Sequence, residues 1–224
     1  MGCVRLMTLQ NLSKYTRSEI YPGLELYTET DNYNLRLRPK ELSQVGSGYR
    51  IVLGDGADVR FDHLRLRGGD GVFMVGQGAV LRGVQATLKG RGSGIYFGDG
   101  CKTGGVRLVA AEGCRITVGG GSLFSHGITI RTSDMHPITD RATGERINPA
   151  EDVAVGSDVW LAQDAHLQKG VTIGEGCVIG TASLVTRDVP PHCLAAGVPA
   201  RVLRENITWE RQLLNEEDSD DTGE

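Results

Sequence analysis

Five histidines, at positions 63, 126, 136, 166 and 192, are the side chains in this 224-residue chain best suited to move a proton near neutral pH. A neutral imidazole can take the proton of an alcohol, a poor nucleophile until that proton leaves. His136 stands apart because it lies within residues 131–152, which break the repeat described below; Asp134 precedes it by two residues. Side chains at i and i+2 of an extended segment share a face, so Asp134 is a candidate to orient or charge the ring. The other histidines read as surface or packing residues, and no pair of them has the short spacing of zinc ligands, so no metal is expected. The cysteines, at 3, 101, 114, 177 and 193, are odd in number and contain no Cys-x-x-Cys pair. That pattern fits a reduced, cytoplasmic protein better than a disulfide scaffold.

The elements that must position His136 show an unusual period. Val155, Leu161, Leu167, Ile173, Ile179 and Val185 recur at steps of six, and Val159, Ala165, Val171, Cys177, Ser183 and Val189 follow each by four. A helix would smear a six-residue period around its axis and a plain strand requires period two, so neither fits. Aliphatic and then small inward positions every six residues predict a parallel β-helix, three short strands to a coil. Cys177 occupies a small inward position and reads as core rather than nucleophile. Upstream, Leu53-Gly54-Asp55-Gly56, Val75-Gly76-Gln77-Gly78, Phe97-Gly98-Asp99-Gly100 and Val118-Gly119-Gly120-Gly121 recur at 22, 22 and 21 residues. An 18-residue coil with a bulge at one corner accounts for this, with Arg67–Gly71 and Lys89–Gly94 as bulges. The 37 residues from Val118 to Val155 read as about two coils plus one residue, interrupted by the excursion.

Glycine, 32 of 224 residues and about twice ordinary usage, thus marks corners rather than a flexible linker. The low aromatic content, 5%, fits a narrow core of aliphatic and small residues. Residues 1–48 lack the sixfold pattern and read as a lead-in helix or strand covering the first coil. Residues 49–200 form the β-helix, and 201–224 a C-terminal segment in which Arg201–Leu214 is expected to be a short amphipathic helix with Trp209 as a packing anchor. Residues 215–224 carry six acids and no base and read as a disordered tail.

Charge and composition exclude several classes. No apolar run approaches the ~20 residues of a membrane span, the start lacks a signal-peptide apolar core, and Leu6 argues against myristoylation at Gly2. Residues 65–131 carry nine bases against three acids, which suits attraction of an anionic ligand as well as a plain solvated face. Nucleic acid is not expected, because aromatics for stacking are scarce.

From Val155 to Arg204 the sequence resembles the hexapeptide-repeat acyltransferases. The resemblance rests on Val159-Trp160-Leu161, Gly170-Val171-Thr172-Ile173-Gly174, Val185-Thr186-Arg187-Asp188-Val189-Pro190-Pro191 and Ala196-Gly197-Val198-Pro199-Ala200-Arg201-Val202. It extends back through Ser133–Ile138 and Thr143–Asn148, a combination similar to the branch that O-acetylates sugars, including capsular polysaccharides. The resemblance implies a left-handed parallel β-helix, a homotrimer with active sites between subunits, and acetyl-CoA as donor. It implies His136 as general base toward a carbohydrate hydroxyl, with Arg131 and Asp134 on the acceptor side. Trp160 is implied to wall the cleft, with packing at the trimer interface as the alternative. Ala162 is implied to supply a backbone N–H to the oxyanion, with Gly156 a weaker choice. Gly180, Thr181, Thr186, Arg187, Arg201 and Arg204 are implied along coenzyme A. N-acetylation of an amino sugar and a non-catalytic β-helix scaffold stay open.

Overall fold

A computed structural model describes residues 9–212. Its strands are short, most of two to six residues, and they stack into parallel ladders as the sixfold period requires. Each coil contributes one strand to each of three faces. The first face is an eight-stranded sheet whose parallel part runs from Leu24–Thr28 through Tyr49–Leu53, Val72–Val75, Gly94–Phe97, Arg115–Val118 and Val153–Val155 to Thr172–Ile173. The second and third faces belong to one continuous sheet, because Asp58–Arg67 and Val80–Lys89 run through the corner between them without a break. Coils span 24–45, 49–67, 72–89, 94–111, 115–131, 153–167 and 172–185, with a partial last coil ending in Leu194–Gly197. All twelve positions of the sixfold pattern are buried.

Within that frame the sequence reading needs four corrections. The ladder starts at Leu24 rather than at residue 49, since Leu24–Thr28 pairs in parallel with Tyr49–Leu53. Long connections between its three strands hide this first coil from a hexapeptide pattern. The antiparallel strand Thr16–Tyr21 covers its open edge, as an exposed strand edge requires. Val118 pairs directly with Val155, so the 37-residue interval is one coil plus the excursion, not two coils.

Arg201–Leu214 does not form the expected helix over its described part. Ala200–Arg204 turns back as a strand antiparallel to Leu194–Gly197, closing the lower end of the second face, and 205–212 contain no helix. The unpaired backbone groups of the last coil offered a partner that local helix propensity could not outweigh. The acidic tail 215–224 and the Gly2 region lie outside the described residues. Among the described residues, no helix is long and apolar enough to cross a membrane.

The fourth correction concerns the core. All four phenylalanines, Phe61, Phe73, Phe97 and Phe124, are buried inside the upper coils, with successive ring centroids 5.0, 6.3 and 6.0 Å apart. The upper interior is therefore wide enough for an aromatic column. An additional inward position on the third face, Leu66, Leu88 and Ala110, provides the width. The predicted bulges Arg67–Gly71 and Lys89–Gly94 fall at the corner where that third face turns back to the first.

Corner glycines answer to two constraints. A Cβ on Gly98 would stand 2.5 Å from Gly120 N in the next coil, so close stacking excludes a side chain there. Gly100, two residues on, has φ +65°. On the outside of the first face, Val52, Val72 and Met74 form a second apolar cluster, packed against Leu12 and Tyr15 at the N-terminal end.

Candidate active site

The excursion leaves the third face after Arg131 and rejoins the first at Val153, at the corner that carries the upper bulges. Its neck is closed by Glu151 N–H donating to Thr132 O at 2.9 Å. A small hairpin follows, with Thr139 bridged to Arg146 and Asp140 accepting from Ala142 N (2.8 Å) and Thr143 N (2.9 Å) at the turn. Those two donors hold the Asp140 carboxyl below its ordinary pKa.

Asn148 is the centre of this loop. It is 7% exposed. Its Oδ1 accepts from Ile138 N at 2.6 Å, while Nδ2 donates to Asp134 Oδ2 and to the carbonyl of His136, both at 2.9 Å. A buried amide with these partners fixes the backbone that carries His136, and the ring itself faces solvent. The loop is also tied to the coil above. Arg146 grips Glu112 through two bonds of 2.5 and 3.1 Å, and Ser133 Oγ donates to Glu112 at 2.5 Å. The Arg146 guanidinium, then Ser133, pull the Glu112 carboxyl down to about 2.

Asp134 does not act on His136 as expected. Met135 between them has φ +68°, so the segment is not extended and positions i and i+2 do not share a face. The Asp134 carboxylate pairs instead with Lys169 Nζ at 2.8 Å and with Asn148, contacts that lower its pKa. Asp134 therefore anchors the loop to the coil below. Asn148, Lys169, Glu112 and Arg146 escaped the sequence reading. Only Asn148 and Arg146 stand in a family-like motif, Thr143–Asn148, and nothing in their spacing shows whom they meet.

Beside the loop lies a cleft of about 440 Å³ lined by Arg67, Lys89, Glu112, Met135, Pro137 and Arg146. The third face leads into it. Strand registers place Arg65, Arg67, Lys89, Arg107 and Arg131, five of the nine bases noted above, on that one face, together with His63 and His166. Arg82 and Arg91 lie elsewhere and are paired with Asp58 (2.6 Å) and Asp70 (3.3 Å).

A second group of residues sits on the second face of the lower coils. Trp160 points outward in one row with Leu123, Val178 and Leu194, all half-buried. Its Nε1 lies 3.4 Å from Ser125 Oγ, and its ring meets Trp209 at 5.9 Å between centroids. One chain does not bring Trp160 and His136 together, because they occupy different faces.

The oxyanion assignment to Ala162 fails on hydrogen bonding. Ala162 N–H donates to Ile179 O at 2.9 Å and Gly156 N–H to Ile173 O at 2.8 Å, so both are committed to the ladder. Among the described residues, the N–H groups of His126, Gln163 and Thr181 have no such acceptor. They stack one per coil at the corner between the second and third faces. Gly180 N–H is committed to Ala195 O (2.9 Å) and Ala182 N–H to Gln163 O (2.8 Å), which leaves Thr181 as the donor at its corner. Thr186, Arg187, Arg201 and Arg204 are exposed around the lower end. Among the described residues, no hydrogen bond or ion pair joins these four, and Arg201 bonds to the carbonyl of Ala200.

The thiols do not offer a rival nucleophile. Burial pushes Cys101 up to about 11 and raises Cys114, Cys177 and Cys193. Cys177 is fully buried, in agreement with a core role.

No protein-family model matches the chain. Curated relatives include the polysialic acid O-acetyltransferase of Escherichia coli O1:K1 / APEC, 34% identical over 131 residues, which are 58% of this chain and 43% of that protein. The match thus spans less than half of that relative's length. The polysialic acid O-acetyltransferase of Neisseria meningitidis is 29% identical over 182 residues, 81% of this chain and 84% of that protein. Among solved structures, the polySia-specific acetyltransferase NeuO superposes with a TM-score of 0.65 at 27% identity, covering 85% of this chain and 79% of its own.

Proposed function

We propose that this chain is an acyltransferase of the hexapeptide-repeat type, built on a left-handed parallel β-helix, and that it moves acetyl from acetyl-CoA to a hydroxyl of an anionic polysaccharide. The observation that carries the reading is His136, a solvent-facing imidazole on a backbone clamped by buried Asn148, beside a cleft entered along a basic face. The relatives named for polysialic acid, a polyanion, support an acceptor of that charge.

In this reading a nitrogen of the His136 imidazole accepts the acceptor's hydroxyl proton as its oxygen forms a bond to the acetyl carbon. The resulting imidazolium then returns that proton to the departing sulfur as the C–S bond breaks. Attack is direct, and no acyl-enzyme is needed. Acetyl-CoA supplies the activated acyl group. The second face of the lower coils fits such a donor: the unpaired N–H group of Thr181 offers a bond to a long polar arm, and Arg187, Arg201 and Arg204 offer charge for phosphates. Gln163 N–H, one residue after Ala162, is the oxyanion donor in place of Ala162.

Trp160 and His136 lie on different faces, so a complete site takes His136 from one copy and Trp160 with the N–H column from another. A homotrimer supplies that pairing three times. The four described cysteines are all unpaired, which supports a reducing, cytoplasmic setting.

The test is incubation of purified protein with acetyl-CoA and a panel of neutral and acidic glycans, with NMR of the product. Acetyl esters on an acidic glycan, formed at rates that fall as salt rises, are expected. Equal rates on neutral and acidic glycans with flat salt profiles would remove the anionic acceptor. Products acetylated only on nitrogen would replace O-acetylation with N-acetylation.

A further inference from the structure

After the strand Ala200–Arg204 the chain does not leave the β-helix. It climbs the corner between the first and second faces as a strap. Ile207 N–H donates to His192 O at 2.9 Å at the last coil. Trp209 Nε1–H donates to Asp158 O at 2.6 Å two coils higher, and Arg211 donates to Gly121 O and lies 3.5 Å from Gly100 O above that. Each anchor uses a backbone carbonyl that a corner leaves pointing outward. The strap and the corner enclose a space of about 490 Å³, lined in part by Asp158, Glu175, His192 and Trp209.

The strap delivers one large side chain, and it lands on Trp160. These are the only two tryptophans in the sequence, 49 residues apart, and their rings meet at 5.9 Å and 41°. An outward-facing tryptophan on a flat two-residue strand has few neighbours to fix its rotamer. Leu123 and Val178 flank Trp160 along the row, Ser125 Oγ meets its N–H at one edge, and Trp209 packs against the ring. Trp209 is itself fixed by its bond to Asp158 O, two residues before Trp160, so the strap and the strand form one rigid unit.

We infer that Trp209 is a positioning residue for the acetyl-transfer site, holding Trp160 in the orientation that forms the cleft wall. The inference rests on the acetyltransferase reading above, in which Trp160 faces the substrates. Removing Trp209 frees the Trp160 ring to turn, which weakens binding more than it slows the chemical step, because His136 is untouched. Tilted aromatic contacts are modest in strength, so the effect is a tuning of the site rather than its loss.

The test compares Trp209→Ala and Trp209→Phe with the unmodified chain, using coenzyme A and the acidic glycan as probes. In Trp209→Ala, where Trp160 is the sole tryptophan, coenzyme A is expected to bind about fivefold more weakly by quenching of Trp160 emission. KM is expected to rise by a similar factor with kcat within twofold, while Tm and oligomeric state are unchanged. Trp209→Phe, which keeps a ring against Trp160, restores most of the affinity. Unchanged affinity and kinetics in Trp209→Ala would overturn the positioning role and leave the acetyltransferase reading standing. A fall in Tm that accounts for all lost activity, with no rescue by Phe, would also overturn it. Failure of the unmodified chain both to bind coenzyme A and to transfer acetyl would overturn the acetyltransferase reading, and the positioning role with it.

Discussion

The coils above the excursion and those below it solve the same stacking problem in different ways. Below, coils 153–167 and 172–185 keep an 18-residue repeat and fill a narrow interior with Val, Leu and Ile at the strands and Val, Ala, Cys or Ser at the corners. Above, repeats of 21 and 22 residues add an inward position to the third face and fill the wider interior with four phenylalanines. The extra residues widen one corner only, the one from which the excursion emerges. A strict coil has no spare chain there. The wide coils have it, and they place Arg67, Lys89 and Glu112 beside the base of the loop. The two regions divide the proposed reaction as well: the upper coils carry the basic face and the cleft for the acceptor, and the lower coils carry Trp160 and the unpaired N–H groups for the donor. His136 hangs between them, tied upward through Glu112 and downward through Lys169.

The largest effect expected from breaking that arrangement comes at its centre. His136→Ala should lower kcat by about 10³-fold while leaving Tm and coenzyme A affinity unchanged, because the ring is exposed and the groups proposed for the donor lie on the lower coils. Undiminished turnover would show that the loop is not catalytic.

The two cores come next. Phe97→Ala should cost about 3–5 kcal/mol, a fall in Tm on the order of 10 °C, since it removes a ring packed between Phe73 and Phe124. Ile179→Val in the narrow core should cost about 1 kcal/mol. A loss from Phe97→Ala no larger than that from Ile179→Val would mean that the aromatic column is not what supports the wide coils.

The tie itself can be cut without touching either core. Asn148→Ala leaves Ile138 N and the His136 carbonyl without their partner and should lower kcat about tenfold to a hundredfold, measured against a smaller loss of global stability. An unchanged kcat would show that Asn148 does not position His136.

The smallest effect is one of acidity. Glu112 has a folded pKa near 2, below the ordinary glutamate value of about 4.3, so its pairing with Arg146 and Ser133 stabilises the loop fully above that ordinary value. That stabilisation is lost as pH falls from about 4.3 toward 2. Because the pair is partly exposed, the loss is modest. Amide protection factors in residues 132–148, corrected for the intrinsic pH dependence of exchange, should fall over this window in the native chain; in Glu112→Gln they should start lower and change less, through Asp134 alone. Identical profiles would place the upward tie elsewhere.

How far the sequence could be read depended on which contacts were periodic. The lower coils were legible residue by residue because every sixth position faces the same interior, and the structure buries all twelve. The upper coils were legible through their glycine corners, where the next coil approaches too closely for a Cβ, but their width was not. One more inward residue per coil, such as Leu88, looks like any other strand position until its neighbours are in place. The coil at 24–45 escaped because its corners are long and carry no glycine pair. The segment from Arg201 misled because the strand edge that Ala200–Arg204 covers outweighed the local helical pattern.

The same division holds for the site. The sequence by itself determined that a β-helix is interrupted once and that a histidine lies in the interruption, and its motifs within and after that interruption resemble those of one family. The first two facts follow from spacing, which survives in one dimension, and the third from a resemblance of residues in order. Only the tertiary structure decided that Asp134 binds Lys169 rather than His136, that Asn148 holds the loop, that Ala162 has no N–H to give, and that Trp209 packs on Trp160. Each of these joins residues far apart in the chain, or turns on a single dihedral such as that of Met135. A partner of that kind is chosen by what the completed coils bring within hydrogen-bond reach, and no local pattern encodes it.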